Sequence, residues 1–78
     1  MYNLPALAAQ FCSQAVQVTP QGHRWTCQIL ESTNSQTIQA DLIYFPDGTP
    51  CEVEVWEIHQ DLERGETYGQ TLLQSQSF

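Results

Sequence analysis

The sequence predicts a small α+β domain, in which an N-terminal amphipathic helix packs on a three-stranded antiparallel β-meander and a partly ordered C-terminal tail follows. Apolar residues recur every three or four positions near the N terminus, and they alternate with polar residues in three later segments. Turn-forming residues separate those segments. A chain of 78 residues makes one domain at most. We therefore assign residues 1–60 to one domain and residues 61–78 to a tail that can fold back on the sheet.

The helix is predicted to run from residue 3 to residue 18. Asn3 is a suitable N-cap, and Pro5 fits the first turn because its missing N–H would have no partner there. Pro20 and Gly22 end the helical pattern. The apolar stripe consists of Leu4, Leu7, Ala8, Phe11, Cys12, Ala15 and Val16 or Val18.

Three strands are predicted at residues 23–31, 37–45 and 51–59, with turns at residues 32–35 and 46–49. In the second turn Pro46 presets one φ angle, and Gly48 can adopt a positive φ. A first turn centred on Thr33 and Asn34 implies that Ile29 lies beside Ile38, and this pairing sets the register of the first two strands.

Alternation along the strands divides their side chains between two faces. The face predicted to lie under the helix is apolar and carries Trp25, Cys27, Ile29, Ile38, Ala40, Leu42, Tyr44, Cys51, Val53 and Val55. The other face is predicted to carry Thr26, Gln28, Leu30, Gln39, Asp41, Ile43, Phe45, Glu52, Glu54, Trp56 and Ile58. A face that met only water would be polar throughout. Its large apolar residues therefore indicate a cover, which is either the tail or another chain.

Charge is distributed unevenly along the chain. There are nine acids, two arginines and no lysine, and all nine acids lie within residues 31–78. Such a surface repels phosphate backbones and anionic lipids, so we predict no direct binding to nucleic acid or to a membrane. The acids favour a partner protein with a basic surface, or they serve solubility alone.

The three cysteines, Cys12, Cys27 and Cys51, are widely spaced and form no C-x-x-C pair. This pattern is typical of reduced thiols in the cytoplasm. All three fall on predicted apolar surfaces, where thiols are buried and inert. The N terminus lacks a secretion signal and the chain has no long apolar run, so we expect a cytoplasmic protein.

The run TPCEVEVWEIHQDLERGE, residues 49–66, contains six of the nine acids, yet we predict no metal, cofactor or catalytic site in it. Glu57, His59 and Asp61 share one side of an extended strand, but no known zinc or calcium spacing occurs. Glu52 and Glu54 lie on one face and could form an acid–base pair. A single sheet, however, offers little concavity to exclude water from such a pair.

The sequence therefore predicts a small non-catalytic regulatory, adaptor or assembly protein. The predicted partner-binding residues are Ile43, Phe45, Glu52, Glu54, Trp56 and Ile58. An aromatic centre ringed by acids is a common arrangement at interfaces, and it speeds encounter with a basic partner. The same patch could instead pair two copies in a homodimer, or Trp56 could pack under the tail.

Two other function classes remain open at this point. The first is an acidic inhibitor or nucleic-acid mimic that occupies a basic groove on a partner enzyme, and the uneven charge supports it. The second is a minor metal-binding or catalytic protein, for which the run at residues 49–66 supplies the side chains but not the spacing.

Overall fold

The computed structural model describes residues 2–11 and 16–78. Its main feature is a five-stranded antiparallel sheet in which the strands lie in sequence order, β1-β2-β3-β4-β5. The elements are α1 (Leu4–Phe11), β1 (Gln17–Val18), β2 (Arg24–Ser32), β3 (Gln36–Tyr44), β4 (Pro50–Asp61) and β5 (Glu66–Ser77).

The predicted α+β fold class is wrong, because the protein is mostly β. Among the described residues, the eight of α1 are the helical ones, and Gln17–Val18, predicted as the end of the helix, form β1. The predicted tail forms β5, which pairs with β4 from Glu66 to Ser77. The stripe residues Cys12 and Ala15 lie outside the described residues.

The physical reasons for these two errors differ. Val16 packs against the core without being part of α1, so an apolar residue at helical spacing was misread as helix. Most of β5 is exposed, so burial imposes no alternation on its sequence. Its order comes instead from backbone hydrogen bonds to β4, which no local pattern reveals.

Several local predictions are confirmed. Asn3 caps α1, because its Oδ1 accepts a hydrogen bond from the Ala6 N–H at 3.1 Å. In the second hairpin the Phe45 N–H donates to the Thr49 carbonyl at 2.8 Å. Gly48 has the predicted positive φ, of 90°. Strands β2, β3 and β4 form within one or two residues of the predicted positions.

The core lies between α1 and one face of β3 and β4, which we call the covered face. It consists of Leu4, Ala8, Ile38, Ala40, Leu42, Tyr44, Val53 and Val55. Leu42, Val53 and Val55 are 0% exposed. An eight-residue helix is only about 12 Å long, so α1 covers the centre of the sheet and does not reach across its edges.

The register of β2 on β3 differs from the prediction by one residue. The observed partners are Trp25 with Ile43, Thr26 with Leu42, Cys27 with Asp41, Gln28 with Ala40 and Ile29 with Gln39. A one-residue change moves every side chain of a strand to the opposite face. Trp25, Cys27 and Ile29 therefore lie opposite α1, and Thr26 is buried on the covered face.

The first turn and a bulge together explain this register. The Thr33 N–H donates to the Gln36 carbonyl at 2.8 Å, so the turn is centred on Asn34 and Ser35, one position later than predicted. That difference alone shifts each partner by two residues and leaves the faces unchanged. Leu30 is then an extra residue between the pairs Ile29–Gln39 and Glu31–Ile38. This bulge moves the β2 side chains that precede it to the opposite face. Burial favours it, because Leu30 packs against the core.

Candidate binding face

We call the face of β2, β3 and β4 opposite α1 the open face. Among the described elements, none packs across it, since α1 meets β3 and β4 through the covered face. Thr37, the strand partner of Ile58, is buried at one end of it. The other side chains that strand pairing places there include Trp25, Cys27, Ile29, Gln39, Asp41, Ile43, Glu52, Glu54, Trp56 and Ile58.

Five of the six predicted binding residues lie together on the open face. Ile43 of β3 pairs with Glu52 of β4, and Glu54, Trp56 and Ile58 follow at alternate positions of β4. All five are half-buried. The sixth, Phe45, lies just after β3 in the hairpin and is 43% exposed.

Sequence reasoning missed three residues of the open face, namely Trp25, Cys27 and Ile29. Trp25 is half-buried, Ile29 is 49% exposed, and Cys27 is exposed rather than buried as predicted. No local pattern indicated this placement, because Ile29 on the open face and Leu30 against the core alternate as they would in a regular strand. The open face therefore carries two tryptophans instead of one.

The tail does not lie over Trp56. Leu72 of β5 is the strand partner of Trp56 in the same sheet, and Leu72, Leu73 and Phe78 are each more than 40% exposed. The alternative that Trp56 packs beneath these residues is therefore wrong. Trp56 remains a half-buried surface residue with an apolar neighbour at its side.

Asp41 and Glu54 lie directly opposite each other in the ladder between β3 and β4. Partial burial raises the pKa of Asp41, although a hydrogen bond from Gln39 Nε2 to Oδ1 at 2.8 Å acts in the other direction. Burial also raises the pKa of Glu54, and the negative charges of Glu52 and Asp41 add to the effect. The open face thus holds two carboxylates whose ionisation the surroundings disfavour.

A cavity of about 400 Å³ opens at the end of the open face beside the turn between β1 and β2. The described residues that line it are Thr19, Gln21, His23, Trp25, Asp41, Ile43 and Glu54. The turn is held by a hydrogen bond from the Thr19 N–H to the His23 carbonyl at 2.6 Å. A second runs from the His23 N–H to Thr19 Oγ1 at 3.2 Å. This geometry supplies a concave site with an aromatic wall and two carboxylates.

A separate titratable group lies on the other side of β4, outside the core. Glu57 Oε1 is 3.1 Å from His59 Nε2, and Thr71 Oγ1 is 3.5 Å from the same nitrogen. A nucleophile–His–acid relay requires the acid and the nucleophile at different ring nitrogens, so this arrangement is not one. Tyr68 stacks on the His59 ring, with centroids 6.2 Å apart.

The described residues contain no group of three or more His, Cys, Asp or Glu side chains placed to hold a metal ion. Glu57, His59 and Asp61, which share a strand side in sequence, therefore do not form such a group. The Cys51 Sγ donates to the Ile43 carbonyl at 3.2 Å, and burial together with Glu52 raises the pKa of the Cys51 thiol. A raised pKa makes a thiol a weaker nucleophile at neutral pH. Cys12 lies outside the described residues.

Within the described part of the chain, no helix is both long and apolar enough to cross a membrane. Comparisons with protein-family models, with curated proteins and with solved structures find no match to this chain.

Proposed function

We propose that this protein is a small non-catalytic regulatory, adaptor or assembly module that binds a partner protein through the open face. One observation carries the proposal: two tryptophans and three isoleucines share a face that no described element covers. These residues are Trp25, Ile29, Ile43, Trp56 and Ile58. Tryptophan is enriched among the residues that dominate binding energy, because burying its large surface removes much apolar area from water.

The charge of the open face favours a basic partner. Asp41, Glu52 and Glu54 lie among the apolar residues, and the whole chain has a net charge of −7. Two copies docked face to face would bring carboxylates against carboxylates, which opposes self-association through this surface. Complementary charge would speed association and make its rate sensitive to salt. The exposed Cys27 thiol fits a reducing compartment, so the proposal places the interaction in the cytoplasm.

The test is affinity capture with quantitative mass spectrometry on three forms of the full chain. They are the wild type, the double variant Trp56→Ala with Glu54→Arg, and Glu57→Arg as a matched control. Glu57 lies on the same strand as Glu54 and points to the opposite side. We expect a basic partner that the wild type and Glu57→Arg capture equally and the double variant captures at least tenfold less. A double variant that folds normally and keeps every partner contradicts the proposal.

An acidic inhibitor or nucleic-acid mimic is the alternative that the same carboxylates support. A mimic binds mainly through charge, so its affinity would fall steeply with salt and change little on Trp56→Ala. An interface centred on apolar contacts would show the reverse pattern. Measuring the dissociation constant of the captured partner at two salt concentrations, with wild type and Trp56→Ala, separates the two functions.

A further inference from the structure

We propose that the cavity beside the turn between β1 and β2 is a subsite for a guanidinium group, namely an arginine side chain of the partner's docking segment. The inference rests on the proposed function, since it names the chemistry by which the open face recognises its partner. It depends on the cavity, on its hydrogen-bonding groups and on the placement of the chain's own cations.

The cavity is lined by two carboxylates. Asp41 and Glu54 line it from opposed positions on neighbouring strands, and Asp41 Oδ1 accepts a hydrogen bond from Gln39 within the sheet. Opposed residues in an antiparallel pair have Cβ atoms about 4.5–5.5 Å apart, so one planar group can reach both carboxylates. His23 also lines the cavity, and its Nδ1 is buried without a hydrogen-bond partner. Ionised carboxylates only accept hydrogen bonds, so Asp41 and Glu54 favour a ligand rich in donors.

The protein does not supply a cation to this cavity from its own lysine or arginine side chains. The chain has no lysine and two arginines. Arg24 is the strand partner of Tyr44, which places it on the covered side, and Arg64 lies 3.6 Å from Asp61 in the turn before β5. A carboxylate pair in a partly desolvated site is costly without a cation, and no lysine or arginine of this chain provides one.

The apolar part of the cavity favours a guanidinium over an ammonium. Trp25 and Ile43 form an apolar wall beside the carboxylates. A guanidinium is planar, weakly hydrated and able to stack on an indole while it bonds a carboxylate through two N–H groups. An ammonium is compact and strongly hydrated, so it gains less from such a wall. A cavity of about 400 Å³ also leaves room for the aliphatic stem of the side chain.

The cavity is formed before any ligand binds. The hydrogen bonds between Thr19 and His23 hold the rim, and Gly22 adopts the positive φ of 86° that the turn requires. The floor belongs to two central strands of the sheet. A preformed site loses little conformational entropy when it binds, and this makes a small cationic probe a fair test.

The experiment is an NMR titration of the full, ¹⁵N-labelled chain with N-acetyl-arginine methylamide. The lysine analogue and the citrulline analogue, which has arginine's shape without its charge, are the comparison probes. We expect saturable shifts of the Trp25 indole and of the amides around Asp41 and Glu54. Arginine should bind at least fivefold tighter than lysine, and citrulline should not bind. Absent saturation, or equal binding of citrulline, overturns the subsite.

Variants of Asp41 and Glu54 test whether the arginine probe binds at these two carboxylates. Asp41→Asn and Glu54→Gln keep side-chain size, and each should weaken arginine binding at least fivefold, whereas Glu57→Gln on the other side of β4 should not. If either isosteric variant fails to fold, the other still decides the question. Failure of the arginine probe, combined with loss of partner capture by Trp56→Ala, rejects the subsite and leaves the proposed function standing. Arginine binding without any partner that depends on Trp56 rejects the proposed function instead.

Discussion

The two faces of the central strands are built from alternating residues of the same segments, yet they are buried to different extents. On the covered face Leu42, Val53 and Val55 are fully buried beneath α1. On the open face their sequence neighbours Ile43 and Glu54 are half-buried, and no described element lies over them. Packing on the covered face forms the core, whereas the open face carries exposed apolar side chains and opposed carboxylates. Under the proposed function, these features of the open face serve binding rather than stability.

A matched pair of adjacent substitutions tests whether the two faces differ in how tightly they are packed. Leu42→Ala removes a fully buried side chain, and we expect it to lower the free energy of unfolding by about 2–5 kcal/mol. Ile43→Ala removes a half-buried side chain from the open face and should cost less than half as much. Urea denaturation measures both values. Equal losses would show that the open face is packed as tightly as the covered one.

A second substitution tests a contact at the margin of the covered face. Gln74 of β5 donates from Nε2 to the Tyr2 carbonyl at 3.0 Å, and its Oε1 accepts from the Tyr2 N–H at 2.7 Å. This pair ties the chain's start to the edge strand, so Gln74→Ala should destabilise the protein by about 1 kcal/mol.

Hydrogen exchange of the β5 amides, together with the melting temperature, measures this effect. Gln76→Ala is the matched control, because Gln76 is exposed two residues further along the same strand. Exchange in β5 should accelerate in Gln74→Ala and stay near wild type in Gln76→Ala. If hydrogen exchange in β5 is the same in both variants, the contact between Gln74 and Tyr2 does not order the edge strand β5.

The smallest expected effect is a gain of stability rather than a loss, and it comes from a substitution of Asp41. The pKa of Asp41 is raised in the folded state, so the folded protein holds this proton more tightly than the unfolded chain does. The stability that Asp41 contributes therefore falls as the pH rises above its ordinary value of 3.8 and through its folded pKa. The substitution Asp41→Asn avoids this loss of stability and removes the repulsion between the carboxylates of Asp41 and Glu54. It should stabilise the protein at neutral pH by about 0.2–1 kcal/mol.

Melting temperatures of wild type and Asp41→Asn at about pH 3 and about pH 7 test the sign, because the difference should appear only at the higher pH. Glu63→Gln, in the exposed turn before β5, is the control and should change little at either pH. A variant that is more stable and yet binds arginine less well would identify Asp41 as a binding residue. A less stable variant at neutral pH would contradict the pKa argument.

Much of the open face was predictable because apolar and polar residues alternate clearly within β3 and within β4. A bulge at Cys51, next to the hairpin, aligns the two strands so that Ile43, Glu52, Glu54, Trp56 and Ile58 share one face. The contribution of β2 was not predictable in the same way. Its face depends on a single bulge at Leu30, and a bulge is stabilised by packing against the core rather than by local sequence.

The sequence by itself determined the cap of α1, the positions of three strands, the second hairpin and the acidic character of the chain. Each of these depends on neighbours in sequence or on composition alone. Tertiary structure decided that Glu66–Ser77 form a fifth strand and that Trp25 joins Trp56 on the open face. The physical reason is that strand pairing and the contact of Leu30 with the core join residues distant in sequence. Their energy exists only once the sheet has assembled.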